Sequence, residues 1–390
     1  MDLSSRIDRI QPSATIAFTR KALAMKEAGR QVISLSAGEP DFDTPDHILD
    51  AARLAIADGK TRYTAVDGTA ELKQAISDRL ARDGMSFGTD QILVTSGAKQ
   101  ALFNAMLALL NPGDEAIVPA PYWVSYPDMV RLGDGEAVIV PCPAENGFKL
   151  TAGALEGALT TKTRMLILNS PGNPTGRAYS RAEYQALGEV LQRYPRVWIL
   201  TDEIYDAIYW GDEAITPFLG ACPELTDRTL VVNGVSKAYA MTGWRIGYGA
   251  GPVELITAMR KIQGQSTSNA CSISQAAAVA ALNGDQSCVA EMTAAYRRRH
   301  DLMLAGLNDL PGVTCLPGEG AFYLLPDFSA AAARLAVSND IELATQILEE
   351  AEVAMVPGTP FGAPGHIRVA YATSDELLNE ALRRLGKFLS

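Results

Sequence analysis

Two residues suited to covalent and acid–base chemistry, Asp202 and Lys237, each follow closely on an apolar run. Val197 to Leu200 leads into Thr201-Asp202-Glu203-Ile204-Tyr205, and Leu230 to Val232 leads into Asn233-Gly234-Val235-Ser236-Lys237. A carboxylate where a buried strand ends is costly unless a cation or proton donor meets it. A lysine amine is a group that condenses with carbonyls. Arg245 follows eight residues after Lys237, in Gly243-Trp244-Arg245-Ile246-Gly247. After Gln91 to Thr95 comes Ser96-Gly97-Ala98-Lys99, a small-residue turn opening a helical pattern, where free backbone N–H groups and the helix dipole favour a phosphate. The phosphate loop pattern G-x-x-x-x-G-K-[ST] is absent. After Arg164 to Leu168 comes Asn169-Ser170-Pro171-Gly172-Asn173-Pro174-Thr175-Gly176. Asn173, lying before a proline, is held away from helical geometry, so its amide could point into a site.

In an open parallel sheet, ligands bind beyond the carboxyl ends of the strands, so these segments form one candidate surface. An aldehyde cofactor bearing a phosphate and a pyridine ring would use all of them: the lysine for a Schiff base, the carboxylate for the ring nitrogen, nearby donors for the phenolic oxygen, and the helix start with Arg245 for the phosphate. Taken singly, each residue also reads as something ordinary: Lys237 as a surface lysine, Asp202 as a helix N-cap, Arg245 as a salt-bridge partner. Their coincidence at successive strand ends favours a common site.

The elements that must position them are legible as well. From about 90 to 250, short aliphatic or β-branched runs (91–95, 115–118, 137–140, 164–168, 197–200 and 230–232) alternate with helical patterns, which predicts an α/β fold with a mostly parallel sheet sandwiched by helices. Ala98 to Leu110 predicts a helix stopped by Asn111-Pro112-Gly113. The last hundred residues predict a smaller α+β domain. It contains a helix from about Ser287 to Leu310 with Arg297-Arg298-Arg299 on a solvated face, strands near Val353 to Pro357 and Ile367 to Tyr371, and a final helix opened by a capping box at Thr373-Ser374-Asp375-Glu376. In Ile367-Arg368-Val369-Ala370-Tyr371 the alternation sets Arg368 on the face opposite Ile367, Val369 and Tyr371, where its guanidinium could clamp a carboxylate.

The chain's 390 residues suit two domains around a cleft. With 34 Lys plus Arg against 45 Asp plus Glu, the net charge of −11 argues against nucleic acid or anionic lipid as partner. The N-terminal segment has no secretory pattern, and no run approaches the roughly 18 apolar residues a membrane helix needs, so a cytoplasmic protein is expected. Five scattered cysteines are expected to be buried and apolar in role. His47, His300 and His366 have no metal-type spacing, so no metal is expected.

The chain resembles the class I aminotransferases of pyridoxal-phosphate (PLP) fold type I, in particular the bacterial aspartate/prephenate aminotransferase branch. The resemblance runs essentially end to end and rests on Ser36-Ala37-Gly38-Glu39-Pro40-Asp41-Phe42, Tyr122-Trp123-Val124-Ser125-Tyr126, Asn169 to Gly176, Asp202 to Tyr205, Ser236 to Arg245, and Gly320-Ala321-Phe322-Tyr323. It implies a large cofactor-binding domain over 45–283 and a small domain from 1–44 with 284–390. It also implies that Lys237 carries PLP, that Asp202 pairs with the ring nitrogen, that Asn173 and Tyr205 bond the ring oxygen, and that Trp123 stacks on the ring. The phosphate would lie against Gly97, Ala98, Lys99, Ser236 and Arg245, with Tyr63 reaching over from the other subunit of a homodimer. Arg368 would clamp the substrate α-carboxylate, with Gly38 leaving room for it and with Trp123 and Asn173 beside it.

For acidic substrates the resemblance assigns Lys99 and Thr15 to the side-chain carboxylate. Relatives carry a basic residue directly before Pro-Ser-Ala-Thr, where this chain has Gln11. The expected reaction is therefore amino transfer between L-aspartate and 2-oxoglutarate, with prephenate, aromatic or alanine-type substrates ranked below it. A PLP-dependent lyase would keep the same core residues, and a non-enzymatic regulator is disfavoured by the acidic charge and the lack of a DNA-binding module.

Overall fold

The computed structural model describes residues 3–12 and 14–390, with the side chains of Ala14 and Thr15 outside the described set. Its centre is a seven-stranded sheet of β2 (Ile92–Thr95), β3 (Glu115–Ala120), β4 (Glu136–Pro141), β5 (Thr163–Asn169), β6 (Trp198–Asp202), β7 (Thr229–Gly234) and β8 (Gly247–Ala250), preceded in the chain by the short β1 (Ile33–Ser34). The strand order is β2-β8-β7-β6-β5-β3-β4. Every strand but β8 runs the same way, since β8 is antiparallel to both neighbours. The six predicted runs are six of these strands; β8, with its two glycines, lacks the aliphatic signature and was not foreseen.

Alternation along the strands sends side chains to two cores. Ile117, Leu166, Leu168, Ile199 and Val231 join one cluster, while Ala116, Val118, Ile167, Leu200, Leu230 and Val232 join the other. A sheet covered on both faces has to be apolar throughout, which is why these runs lack a polar alternate. The helix predicted from Ala98 ends at Leu109, and Gly113 takes φ +91° in the turn that follows.

A second assembly surrounds an antiparallel sheet of β9 (Tyr323–Leu324), β11 (Val356–Pro357) and β12 (Ile367–Ala370), in the order β11-β12-β9, with β10 (Val353–Ala354) pairing instead with β1. The predicted strand at 353–357 is thus two strands in two sheets. Its core includes Tyr296, Phe322, Tyr323, Ile367, Val369 and Tyr371.

Three expectations need correction here. The long helix spans Ser287–Asn308, and Arg299 on it is buried rather than solvated, because its guanidinium is paired with Asp41 at 2.8 Å and with Asp375 at 3.4 Å. The final helix, Asp375–Leu389, is capped by Ser374 accepting from the Leu377 amide, but the third helical position is Leu377, which has no side-chain acceptor to complete a capping box. Cys142 and Cys222 are buried, whereas Cys271 is exposed and Cys288 and Cys315 are half-buried, so the cysteines do not share one apolar role. Among the described residues no helix is long and apolar enough to cross a membrane, and no His/Cys/Asp/Glu group could hold a metal ion.

Candidate active site

The carboxyl ends of β2, β5, β6 and β7 open onto a cavity of about 330 Å³. Asn169 and Asp202 are register partners at the last residues of β5 and β6, which places the loop carrying Asn173 beside Asp202. Gly234 ends β7, and the chain then turns through Ser236 and Lys237 into the same cavity. The cavity wall also takes Gly38, Ala98, Lys99, Trp123, Tyr205, Arg245 and Arg368, so most of the residues singled out in the sequence converge.

Asp202 is 4% exposed, and its need for a proton donor is met by Tyr126, whose hydroxyl donates to Oδ2 at 2.6 Å. The Ile204 amide donates to Oδ1 at 3.3 Å. Burial raises this carboxyl to about 6, against the opposing effects of the Tyr126 and Ile204 hydrogen bonds and of Lys237. Asp202 belongs to β6, so it is not a helix cap. Lys237 donates from Nζ to the Gly38 carbonyl at 2.5 Å. Burial lowers its amine to about 8, Arg368 and Arg245 acting in the same direction while Glu39 and Asp202 oppose them. A lysine so tuned has a sizeable neutral fraction near neutral pH, which an ordinary surface lysine lacks.

Arg368 is 2% exposed, and its guanidinium carbon lies 4.7 and 5.0 Å from the ring centroids of Tyr323 and Phe361. It donates from Nη1 to Asn173 Oδ1 at 3.1 Å and from Nη2 to the Ser36 carbonyl at 2.7 Å, while the buried Nε has no partner. Both acceptors are neutral oxygens, so a buried cation here is matched by dipoles alone. Tyr205 and Tyr323 share a hydroxyl–hydroxyl bond of 2.9 Å, and a Cβ on Gly38 would lie 2.7 Å from the Tyr323 hydroxyl. Glycine at 38 is therefore a steric requirement.

At the other end, Gly97 has φ +84° and precedes the helix Ala98–Leu109, and a Cβ there would fall 2.2 Å from Arg245 Nη2. Arg245, itself in the left-handed region at φ +56°, donates to the Thr242 carbonyl at 2.9 Å and the Ser96 carbonyl at 3.3 Å. A helix start, a glycine whose φ of +84° side-chain-bearing residues rarely adopt, and an exposed guanidinium packed against it thus meet in one cradle. Lys99 Nζ lies 4.6 Å from the centre of the Trp123 ring, and burial, with Arg245 adding to it, lowers its amine. Tyr63 is 91% exposed and takes no part in this cavity. The side chain of Thr15 lies outside the described residues.

Sequence reasoning assigned no role to Tyr126, Tyr323 or the Ser36 carbonyl. Tyr126 and Tyr323 stand inside motifs quoted above, but nothing local marks one as the partner of Asp202 or the other as a wall of the Arg368 pocket.

Residues 30–385 match the family described as Aminotransferase class I and II. An aspartate/prephenate aminotransferase of Nitrosomonas europaea is 51% identical over 397 residues, covering 100% of each chain. An aspartate aminotransferase of Rhizobium meliloti is 50% identical over 390 residues, covering 98% of this chain and 95% of that one. Among solved structures, the aspartate aminotransferase from Rhizobium meliloti superposes with a TM-score of 0.95 at 48% identity, covering 100% of this chain and 99% of the other. The Thermus thermophilus aspartate aminotransferase with maleate gives 0.94 at 42% identity and 99% coverage of both. With a family match over most of its length and full-length relatives at half identity, this chain belongs to the class I and II aminotransferases.

Proposed function

We propose that the protein is a pyridoxal-5'-phosphate-dependent aminotransferase that moves the amino group between L-aspartate and 2-oxoglutarate. The observation that carries this reading is the meeting of Lys237, Asp202 and Arg368 in one cavity. The residues fit the cofactor: the Gly97–Arg245 cradle suits a phosphate, and the buried Asp202 suits a protonated ring nitrogen. Lys237 would hold the aldehyde carbon, and Trp123 the ring face. Tyr205 and Asn173 would hold the ring oxygen, Asn173 donating from Nδ2 because its Oδ1 is taken by Arg368. Ala98, Lys99 and Ser236 would complete the phosphate cradle, joined by Tyr63 from a second copy in a homodimer. Residues 45–283 would form the cofactor-binding domain, with 1–44 and 284–390 forming the smaller one that supplies Arg368. The setting we infer is the cytoplasm.

When bound, the cofactor supplies an electron sink for negative charge at the substrate α-carbon. The remaining work falls to the chain. Arg368 binds the α-carboxylate in the slot kept open by Gly38 and so turns the α-hydrogen toward Lys237. The Lys237 amine, neutral in part near pH 8, would take that proton from the α-carbon of the amino donor and, in the other half of the cycle, deliver a proton to the α-carbon of the 2-oxo acid. Asp202 would keep a negative charge beside the ring nitrogen and so favour its protonated form. Lys99 and Thr15 would receive the side-chain carboxylate; the Thermus relative solved with maleate, a dicarboxylate, supports acidic substrates. Relatives named for prephenate as well as aspartate favour prephenate as a second substrate, ranked lower because Gln11 replaces a base.

The test is a visible-absorbance titration of the purified protein with L-aspartate, then with 2-oxoglutarate, then in parallel with prephenate. The bound-cofactor band should be lost with aspartate and restored by 2-oxoglutarate. A band that aspartate leaves unchanged refutes the substrate, and protein that takes up no PLP refutes the function.

A further inference from the structure

Behind the cavity, on the other face of the sheet, lies a second charged cluster that no step above uses. Along β6, Asp202 shares its side with Leu200 and faces the cavity, whereas the next residue, Glu203, points the other way, into a recess of about 260 Å³ shared with Arg79 and Asp206. Asp206 closes the turn after β6, its amide bonded to the Glu203 carbonyl at 2.9 Å. Its Oδ2 accepts from Arg79 Nη2 at 3.0 Å, with both side chains at least four-fifths covered. The same Oδ2 accepts from Asn233 Nδ2 at 2.9 Å, and Asn233 Oδ1 accepts from the Gly234 amide at 2.7 Å. Arg79 in turn belongs to the helix Ala70–Arg82 and also pairs with Asp83.

One carboxylate therefore joins three pieces of backbone. β6 ends on Asp202 and the turn after it carries Tyr205, the end of β7 leads in four residues to Lys237, and the Ala70–Arg82 helix anchors both. The register between β6 and β7 ends at the pair Asp202 and Val232, with the Glu203 amide bonded to the Val232 carbonyl at 2.9 Å; beyond it, among the described residues, no backbone bond joins the turn after β6 to the end of β7, which is held from its other side by β8. The Asp206–Asn233 bond spans the gap one residue further on. We infer that Asp206, held by Arg79 and bonded to Asn233, is a positioning residue that sets the separation between the Asp202 carboxylate and the Lys237 amine. This rests on the aminotransferase reading of the cavity. Neither Asp206 nor Asn233 lines that cavity, so each acts through the backbone.

The experiment compares PLP-loaded wild type, Asp206→Ala, Asn233→Ala and the double variant. It reads kcat and KM for aspartate, and the pH midpoint of the bound-cofactor absorbance, which reports the electrostatic coupling between Asp202 and the Lys237 nitrogen without turnover. Since displaced catalytic groups lose rate steeply, each single variant should lower kcat about 10-fold or more with KM within about 3-fold, and should shift the midpoint by about half a pH unit or more. The double variant should be no worse than the stronger single one, because both remove the same bond. Folded, loaded variants with a wild-type midpoint and kcat within about 2-fold overturn the inference, as do additive effects, which would mean two unrelated structural losses. Asp206→Ala strands the Arg79 charge; should it fail to fold, Asn233→Ala, which leaves that ion pair intact, decides alone. Wild type that neither loads PLP nor transaminates overturns the functional reading and this inference together; a competent wild type with unaffected variants overturns only the inference.

Discussion

Replacing Arg368 by lysine tests whether the buried guanidinium is the substrate clamp. In the structure its Nη1 and Nη2 already bond Asn173 Oδ1 and the Ser36 carbonyl, and its Cζ lies 4.7 and 5.0 Å from the ring centres of Tyr323 and Phe361. A carboxylate arriving there meets a flat fork whose orientation is fixed in advance, so little rotamer entropy is lost on binding. Lysine retains the charge but offers one nitrogen, cannot stack as a plane, and must choose between its neighbours and the ligand. Loss of one charge-assisted hydrogen bond costs about 1.5–3 kcal/mol. At about 1.4 kcal/mol per decade, this lowers kcat/KM for aspartate roughly 10- to 150-fold. Most of that loss should appear in KM, because Arg368 would grip the carboxylate in the ground state as well as the transition state. PLP content should be unchanged, since the clamp lies apart from the Gly97–Arg245 cradle. The assay is steady-state transamination on protein of verified cofactor content, with the simple amine that lacks the α-carboxylate as comparison. Wild type should strongly prefer the amino acid and the variant should lose most of that preference. A folded, loaded Arg368→Lys enzyme with kcat/KM within about 3-fold of wild type refutes the reasoning, because so small a change is below the cost of a single such bond.

Two other outcomes follow from local geometry. Gly97→Ala forces a side chain into φ +84° and toward Arg245 Nη2, so PLP affinity measured by equilibrium dialysis should fall about 5-fold or more, from strain of about 1–3 kcal/mol at the cradle; retention of wild-type affinity would show that the cradle tolerates a methyl group. Glu203, raised to about 8 by burial and by the neighbouring Asp206, keeps a proton that the unfolded chain loses near pH 4 to 5. Its stabilising contribution is therefore complete below that range and declines as pH rises toward about 8, by at most about 1.4 kcal/mol per pH unit. Glu203→Gln should flatten this decline in denaturant midpoints between pH 5.5 and 8, and an unaltered slope would contradict the assignment.

The architecture was legible because the inner strands of the main sheet are buried on both faces and so are spelled in aliphatic residues, while the half-exposed edge strand β4 still carries Val138, Ile139 and Val140. β8 escaped because two of its four residues are glycines, and at Gly247 close backbone approach leaves no room: a Cβ there would lie 2.1 Å from the Ala98 amide nitrogen. That constraint is set by another segment. The arginine cluster illustrates the same limit. Arg297, Arg298 and Arg299 look alike in sequence, yet Arg299 alone is buried among Asp41, Asp375 and the rings of Phe42 and Tyr296.

By itself the sequence determined which chemical groups stand at the strand ends, because a strand followed by a polar loop in a parallel sheet has one edge on which to place it. Lys237, Asp202, Asn173 and Arg245 were assigned on that basis and all line the cavity. Only the tertiary structure decided who faces whom. Tyr126 reaches Asp202 across 76 residues of sequence and Arg368 reaches Ser36 across 332. Such partners depend on sheet register, helix seating and burial, which no local spacing encodes. Those same contacts set the ionisation of Asp202 and Lys237, since desolvation arises only when the chain closes around them.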